Sequence, residues 1–224
     1  TLNALINEIN ETQNKKILTL ESPVEFKHKC KQSVIVQKEV GYGQDVLTYK
    51  DGVKNCLRED CDILVIGEIR DRETAEIAMQ AGQTGHYVLS TIHTIDSIEV
   101  ITRLRKIGVS DYDIASTLAT SLSQRLVRKV CPKCAVKREY TEEEKNIING
   151  IAKKYGVEYD FTGKYTYDTV GCQYCNDSGF YGRIGIFEIL DMSEAIKELV
   201  IKGESSLEIR KKAMEEGYKP LVID

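Results

Sequence analysis

Short apolar runs alternate with amphipathic stretches along the first part of the chain. The apolar runs predict three buried strands, at 17–20, 63–66 and 87–90. Strands of a parallel sheet are covered on both faces and therefore have continuous apolar sequence. Between the second and third runs, alanines and isoleucines at helical spacing predict a helix that begins after Asp71 and ends at Gly82 or Gly85. This β-α-β order predicts an α/β fold in which helices flank a parallel sheet.

The pattern turns helical after the third strand. Apolar residues three and four positions apart predict helices at 97–107 and 111–124, with Asp96 and Asp111 as N-caps. Both helices are expected to cover the sheet.

From Cys131 to Cys175 the sequence changes to tyrosine, glycine, threonine and charged residues, which indicates a separate small module. Thr141 and Glu144 form a capping box that predicts one helix within it. A strand and two helices are predicted beyond the module, at 184–190, 193–202 and 205–216. We therefore divide the chain into a sheet domain, a cysteine module and a C-terminal part, at 1–127, 128–182 and 183–224.

Composition excludes several classes of protein. The 224 residues are 42% hydrophobic and 29% charged, which is typical of a folded globular chain rather than a disordered one. The net charge of −4 argues against nucleic acid as a partner. The longest aliphatic run, Ile63–Ile66, is far shorter than the roughly 20 residues of a membrane span. The first residues lack the basic start of a signal peptide, so we expect a soluble protein that is not exported.

Four of the seven cysteines form two C-x-x-C pairs, Cys131 with Cys134 and Cys172 with Cys175. Two such turns supply four thiolates, which is a complete tetrahedral site for a structural metal ion. Zinc is favoured over an iron–sulfur cluster. The alternative for a single pair is a redox motif, but two pairs in one small module favour metal. The remaining three cysteines are expected to be buried apolar residues.

Residues capable of chemistry follow each predicted strand. Glu21, Glu68 and His93 come just after the three strands, and the carboxyl ends of parallel strands lie at one edge of a sheet, where ligands bind. Glu68 after an aliphatic strand and a glycine is typical of a nucleotide hydrolase, in which a carboxylate faces Mg²⁺ or the attacking water. Each residue also has a structural alternative, because a carboxylate there can cap a helix and His86 or His93 can be scaffold.

These motifs resemble those of the secretion ATPases of the type II secretion and type IV pilus assembly class. An Asp box, a Walker B region and a His box are similar to ILTLESPVE (17–25), LREDCDILVIGEIRD (57–71) and AGQTGHYVLSTIHT (81–94). The four-cysteine module of the assembly and secretion branch resembles QRLVRKVCPKC (124–134) and GCQYCNDSGFYGRIGIFE (171–188). The resemblance covers nearly the whole chain.

The resemblance implies a RecA-like sheet and a role for each candidate residue. Glu68 becomes the Walker B glutamate and Glu21 the Asp-box acid. The remaining candidates become nucleotide-binding or sensing residues: His86 and His93 as sensors, Arg58 as an arginine that reaches a neighbouring subunit, and Arg70 as a weaker candidate for that task. The implied cofactors are Mg²⁺ with ATP and a structural Zn²⁺.

The function implied by the resemblance is a hexameric motor ATPase that drives pilus assembly or protein secretion. It would work in the cytoplasm at the inner face of the bacterial membrane, with an inner-membrane platform protein as partner. The alternative is a zinc-knuckle module that binds protein without catalysis, since the second cysteine pair faintly resembles a chaperone J-protein repeat.

The chain departs from the family pattern at three points. Ser22 stands where the family usually has Asp, and Lys54 where a second arginine is common. No G-x-x-x-x-G-K-[ST] loop occurs in the sequence, and Thr1-Leu2 resembles the residues just after that loop. The sequence is therefore interpreted as a C-terminal fragment of the motor, inactive by itself because its phosphate-binding loop is missing.

Overall fold

A computed structural model describes residues 1–222 of the chain. The helices are α1 (Leu2–Thr12), α2 (Tyr49–Cys56), α3 (Arg72–Gln83), α4 (Glu99–Lys106), α5 (Asp111–Thr117), α6 (Glu142–Lys154), α7 (Glu194–Ile201) and α8 (Ser206–Glu215). The strands are β1 (Lys16–Glu21), β2 (Val34–Glu39), β3 (Ile63–Ile66), β4 (Tyr87–Ser90), β5 (Thr120–Val130), β6 (Ala135–Arg138), β7 (Thr166–Thr169) and β8 (Phe180–Asp191). No helix among the described residues is long and apolar enough to cross a bilayer.

The chain forms two compact units. The first comprises residues 1–121 and 190–216, and the second comprises residues 122–189 and the described residues from 217 onwards. In the first unit, four parallel strands form a sheet in the order β2-β1-β3-β4. The predicted α/β fold with a parallel sheet flanked by helices is therefore confirmed. The division of the sequence into three modules stays a prediction.

The sheet is buried on both faces, which explains its continuous apolar strands. Ile17, Ile63 and Val65 form a core cluster on one face with Ile6 of α1. On the other face, α2 approaches so closely that a Cβ on its Gly52 would lie 2.7 Å from a methyl carbon of Leu20. Strands β1, β3 and β4 lie where the sequence predicts them.

The helix that joins β3 to β4 has the predicted cap. Asp71 accepts a hydrogen bond from the Thr74 amide at 2.8 Å, and α3 then continues through Gly82 to Gln83. The chain turns into β4 at Gly85, whose φ of 96° lies in the left-handed region that favours glycine. The β-α-β unit is therefore built as the sequence predicts.

The prediction of a helix over 111–124 is wrong in its second half. Helix α5 ends at Thr117, and residues from Thr120 onwards form β5. Ser110, rather than Asp111, is the N-cap of α5, because its side chain accepts a hydrogen bond from the Asp113 amide. Asp111 is the first residue of the helix itself.

The second unit contains two small sheets and α6. Strands β6 and β7 are antiparallel, and β5 pairs with β8. The predicted capping box of α6 is confirmed, since Thr141 accepts from the Glu144 amide and Glu144 accepts from the Thr141 amide. The strand predicted over 184–190 is present and longer, and the two predicted C-terminal helices are present as α7 and α8.

Candidate functional site

The backbone at the carboxyl end of β3 is held from both neighbouring strands. The Gly67 amide donates to the Leu20 carbonyl of β1 at 2.7 Å, and the Ile69 amide donates to the Thr91 carbonyl beyond β4 at 2.9 Å. The Thr91 hydroxyl in turn donates to the Gly67 carbonyl at 2.6 Å. Glu68 therefore projects from a segment whose position is fixed by the sheet.

The side chain of Glu68 contacts two other candidate residues. One carboxylate oxygen pairs with the Arg70 guanidinium, and the other lies 3.5 Å from Nε2 of His93. Only 14% of the Glu68 side chain is exposed, whereas 85% of the His93 side chain is exposed. The carboxylate is thus sheltered, and the imidazole faces solvent above it.

Glu21 lies on the strand next to Glu68, as the sequence predicts. The register of β1 and β3 pairs Leu20 with Ile66, so Glu21 ends β1 at the same edge of the sheet. Its Oε1 accepts from the Thr19 hydroxyl at 2.6 Å and from the side-chain amide of Gln37 on β2 at 3.0 Å. Gln37 has no recognisable sequence signal, because it reaches the site only through strand pairing.

Tyr49 is a residue at this edge that sequence reasoning missed. It is the first residue of α2, and its hydroxyl lies 3.1 Å from the position that a Cβ on Gly67 would occupy. Burial and then the Glu68 carboxylate raise the pKa of Tyr49, while Arg70 opposes this shift. The phenol is therefore a stable hydrogen-bond donor near two carboxylates.

His86 lies at the opposite edge of the sheet from Glu68. It precedes Tyr87, the first residue of β4, and its Nδ1 lies 3.3 Å from both the Ala81 carbonyl and the Thr84 hydroxyl. A cavity of about 740 Å³ opens at this amino edge, lined by residues that include His86 and Asp62.

Arg58 is also at the amino edge. Helix α2 starts with Tyr49 near Gly67 and ends close to the start of β1, where the Glu59 carbonyl accepts a hydrogen bond from the Lys16 ammonium group. Arg58 is exposed there. The structure thus brings together Glu68, Arg70 and His93, with Glu21 on the adjacent strand, and it places His86 and Arg58 elsewhere.

The carboxyl edge has a defined chemical capacity. Two carboxylates at the ends of adjacent parallel strands supply oxygen ligands of the kind that Mg²⁺ prefers. A sheltered carboxylate beside an imidazole and a guanidinium can also orient a water molecule near a phosphate group.

The four cysteines of the two C-x-x-C pairs meet in the second unit. Their sulfur atoms all lie within 4.8 Å of one another, and three of the separations are 3.8–3.9 Å. A tetrahedral ion with metal–sulfur bonds of about 2.3 Å requires sulfur atoms about 3.8 Å apart. The donor set and its spacing therefore fit one tetrahedrally coordinated ion.

Backbone amides support this cluster. The amides of Cys172 and Gly179 each donate to the Cys175 sulfur at 3.3 Å. Burial by itself would raise the pKa of Cys175, but the amide contacts together with hydrogen bonds to the Cys172 and Cys134 thiols outweigh it and lower the pKa to about 6. The amide of Cys131 donates to the Gly179 carbonyl at 2.9 Å, which links the first C-x-x-C turn to the loop that follows the second.

Comparison with known proteins gives one family. A family model described as "Type II/IV secretion system protein" matches residues 1–223. The chain is 37% identical over 222 residues to the type IV pilus assembly ATPase PilB of Myxococcus xanthus, covering 99% of this chain and 37% of the relative. It is 39% identical over 210 residues to the type II secretion system ATPase E of Vibrio cholerae, covering 93% of this chain and 39% of the relative.

A solved structure has the same fold. The pilus retraction motor PilT with bound ADP superimposes with a TM-score of 0.63 at 25% identity, covering 99% of this chain and 55% of that protein. The chain therefore spans less than two thirds of the length of each of these proteins.

Proposed function

This chain belongs to the type II/IV secretion system protein family, and on that premise we propose that it is part of a hexameric motor that hydrolyses ATP to drive type IV pilus assembly or type II protein secretion. The observation that supports this most directly is the sheltered Glu68 carboxylate at the carboxyl edge, beside Arg70 and His93. A motor of this kind needs a carboxylate at that point to orient Mg²⁺ or the attacking water.

The roles that we propose for the other site residues are supported by their positions. Glu21 supplies a second carboxylate at the same edge, and His93 reports the nucleotide state through its contact with Glu68. Arg70 balances the Glu68 charge within its own subunit, so Arg58 is the better candidate for an arginine that acts on a neighbour. Arg58 and His86 lie at the far edge, where they suit contacts between subunits of a ring better than contacts with nucleotide in the same subunit.

The cysteine cluster is proposed to hold one structural Zn²⁺. Four thiolates complete a tetrahedral coordination shell, so no position is left for a substrate or a water molecule. Zinc there would fix the small second unit and take no part in hydrolysis.

The motor is proposed to work at the cytoplasmic face of the inner membrane, against a platform protein. Residues 1–224 by themselves are expected to be inactive, because the sequence contains no glycine-rich loop with lysine to hold the β- and γ-phosphates.

The test is Glu68→Gln in the full-length protein that contains this chain. Glutamine keeps the size of the side chain but removes its negative charge, so ATP hydrolysis should fall at least about a hundredfold while ATP still binds. Phosphate release measures turnover, and a fluorescent ATP analogue measures binding. The matched control is Glu76→Gln, which changes a surface carboxylate paired with Arg72 on α3 and should leave turnover unchanged.

Unchanged turnover in Glu68→Gln would remove Glu68 from the mechanism. Absence of ATP hydrolysis by the wild-type full-length protein, with zinc bound, would favour the alternative of a zinc-dependent binding module without catalysis.

A further inference from the structure

The loop that carries His93 is anchored at both ends. It leaves β4 at Ser90 and enters α4 at Glu99, and His93 lies between two residues that make fixed contacts. The first is Thr91, which exchanges hydrogen bonds with the segment around Glu68 through the Gly67 carbonyl and the Ile69 amide. The second is Asp96, three residues after His93.

Asp96 organises the end of this loop. Its Oδ1 accepts from the amides of Ile98 and Glu99 at 3.0 and 2.9 Å, which satisfies donors at the start of α4. Its backbone carbonyl accepts from the Thr94 hydroxyl at 2.9 Å. The path of the loop after His93 therefore depends on where the Asp96 carboxylate is held.

The carboxylate of Asp96 is held by a residue from a distant part of the sequence. Its Oδ2 accepts from Nη2 of Arg210 in α8 at 2.6 Å, and the side chains of Arg210 and Asp96 are only 22% and 19% exposed. The neighbours of Arg210 in α8, Ile209 and Ala213, are buried, so the helix that carries the guanidinium is firmly packed. A charge-assisted hydrogen bond that is sheltered from water is strong and directional.

We propose that Arg210 is a positioning residue, which acts through Asp96 to hold the His93 loop in the place where the imidazole meets Glu68. This inference rests on the proposed function, because it concerns the same nucleotide edge. It makes turnover depend on the C-terminal helices, which contribute no residue to that edge themselves.

Arg105 is an example of an arginine that joins the helices without contacting the His93 loop. It pairs with Asp111 at 2.5 Å and donates to the carbonyls of Val200 and Glu204, at the end of α4 farther from His93. Loss of that contact would loosen the helices without a direct effect on the loop. Arg210 is distinguished by its link to Asp96.

The first test is amide hydrogen exchange in the full-length protein. In Arg210→Met, peptides that cover residues 91–99 should exchange about tenfold faster, because Asp96 loses the partner that fixes it. The matched control is Lys211→Met on the same helix, which removes an exposed lysine 3.7 Å from Glu208 and should leave exchange in the loop unchanged. Equal exchange in Arg210→Met and the wild type would overturn the proposal.

The second test is a double-mutant cycle on ATP turnover. Arg210→Met should lower kcat about tenfold with little change in KM, since His93 contacts the Glu68 carboxylate and misplacement of a group at the reacting centre costs rate. If Arg210 acts through His93, adding Arg210→Met to His93→Ala should cause no further loss. Independent, multiplicative losses would overturn the positioning role, as would unchanged turnover in His93→Ala.

Arg210→Lys is a second variant for the same two tests. If Arg210→Met does not fold, Arg210→Lys retains the charge with a shorter reach and is judged by the same two criteria, with an intermediate effect expected. A wild-type full-length protein without ATPase activity would contradict the proposed function, and the exchange measurement would still decide whether Arg210 holds the loop.

Discussion

Gly67, the residue before Glu68, is closely surrounded by its neighbours. A Cβ at this position would lie 3.1 Å from the Leu20 carbonyl oxygen and 3.1 Å from the Tyr49 hydroxyl. Its φ is not in the left-handed region, so the demand for glycine comes from space and not from backbone conformation. The glycine before Glu68 is thus explained by the close approach of β1 and α2.

We therefore predict that Gly67→Ala lowers the free energy of unfolding by about 1 kcal/mol, because the methyl group must displace a neighbour. Adding Tyr49→Phe removes one of the two close contacts and should restore part of the loss. Urea titration followed by circular dichroism measures both changes.

The control is Gly150→Ala in α6, where nothing lies within 4 Å of the added Cβ. That change should raise the free energy of unfolding by about 0.5–1 kcal/mol, as expected for a glycine in a helix interior. Equal stability of Gly67→Ala and the wild type would contradict the steric account.

At the level of elements, the start of α6 is stabilised by several hydrogen bonds. The capping box of Thr141 and Glu144 is reinforced by Arg138, which makes two hydrogen bonds of 2.7 Å to the Glu144 carboxylate. The Arg138 side chain and then the Thr141 amide lower the pKa of Glu144 from 4.5 to about 2. This helix start is therefore sensitive to the charge of a single carboxylate.

A depressed pKa fixes the direction of the pH effect. The stabilisation by the ionised Glu144 carboxylate is fully present when the pH is above the unfolded-state pKa, near 4.5. It is lost as the pH falls through the folded-state pKa of about 2. We predict that Glu144→Gln destabilises the second unit, by a margin that is constant from pH 8 to pH 5. Chemical unfolding at each pH measures the difference in free energy of unfolding between Glu144→Gln and the wild type. A difference that shrinks between pH 8 and pH 6 would contradict the lowered pKa of Glu144.

The elements also show what the sequence could and could not predict. Strands β3 and β4 were predictable, because a continuous apolar run between turn residues has few other interpretations. Strand β5 was not, because its buried alternating positions near the start are Ser121 and Ser123, which give no apolar signal. The spacing of Ile114, Leu118 and Leu122 instead imitated a helix.

The residues of the candidate site also divide into those that the sequence could predict and those that it could not. Glu21, Glu68 and His93 could be predicted, since each lies at or shortly after the carboxyl end of a strand and parallel strands end at one edge. Gln37 and Tyr49 reach that edge from other elements, and Arg210 contacts Asp96 of the His93 loop from α8. Their proximity is created by strand pairing and helix packing, which the order of residues does not reveal.

For the whole molecule, the two units differ in what stabilises them. The first unit has an extensive apolar core around the sheet, whereas within residues 122–189 the buried apolar residues are Cys131, Ala152 and Cys175. Two of these three are members of the cysteine cluster. Residues 122–189 thus contain few buried apolar side chains, and the second unit is expected to depend on the metal.

We predict one zinc per chain, and removal by a strong chelator should unfold the second unit while the sheet of the first unit stays folded. Metal analysis gives the ratio, and hydrogen exchange resolved by peptide separates the two units. Cys131→Ser or Cys175→Ser should release the metal. Cys30→Ser should not, because Cys30 lies outside the cluster; it is exposed, so the expectation that it is buried is wrong, whereas Cys56 and Cys61 are buried as expected. A metal-free chain with a fully folded second unit would show that zinc is dispensable.

The first unit is discontinuous in sequence, and this has a consequence for its biosynthesis. Residues 1–121 leave the ribosome before the second unit, but α7 and α8 belong to the first unit and are made only after residue 189. At typical translation rates, synthesis of residues 122–189 takes roughly 3 to 14 s. During that time Arg210 has not yet been made, so the His93 loop of the nascent chain lacks the hydrogen bond between Arg210 and Asp96. If Arg210 positions the loop as proposed, the site edge is completed only after residues 122–189 and α8 have been translated, and a nascent chain stalled before α8 would carry the sheet without a fixed loop.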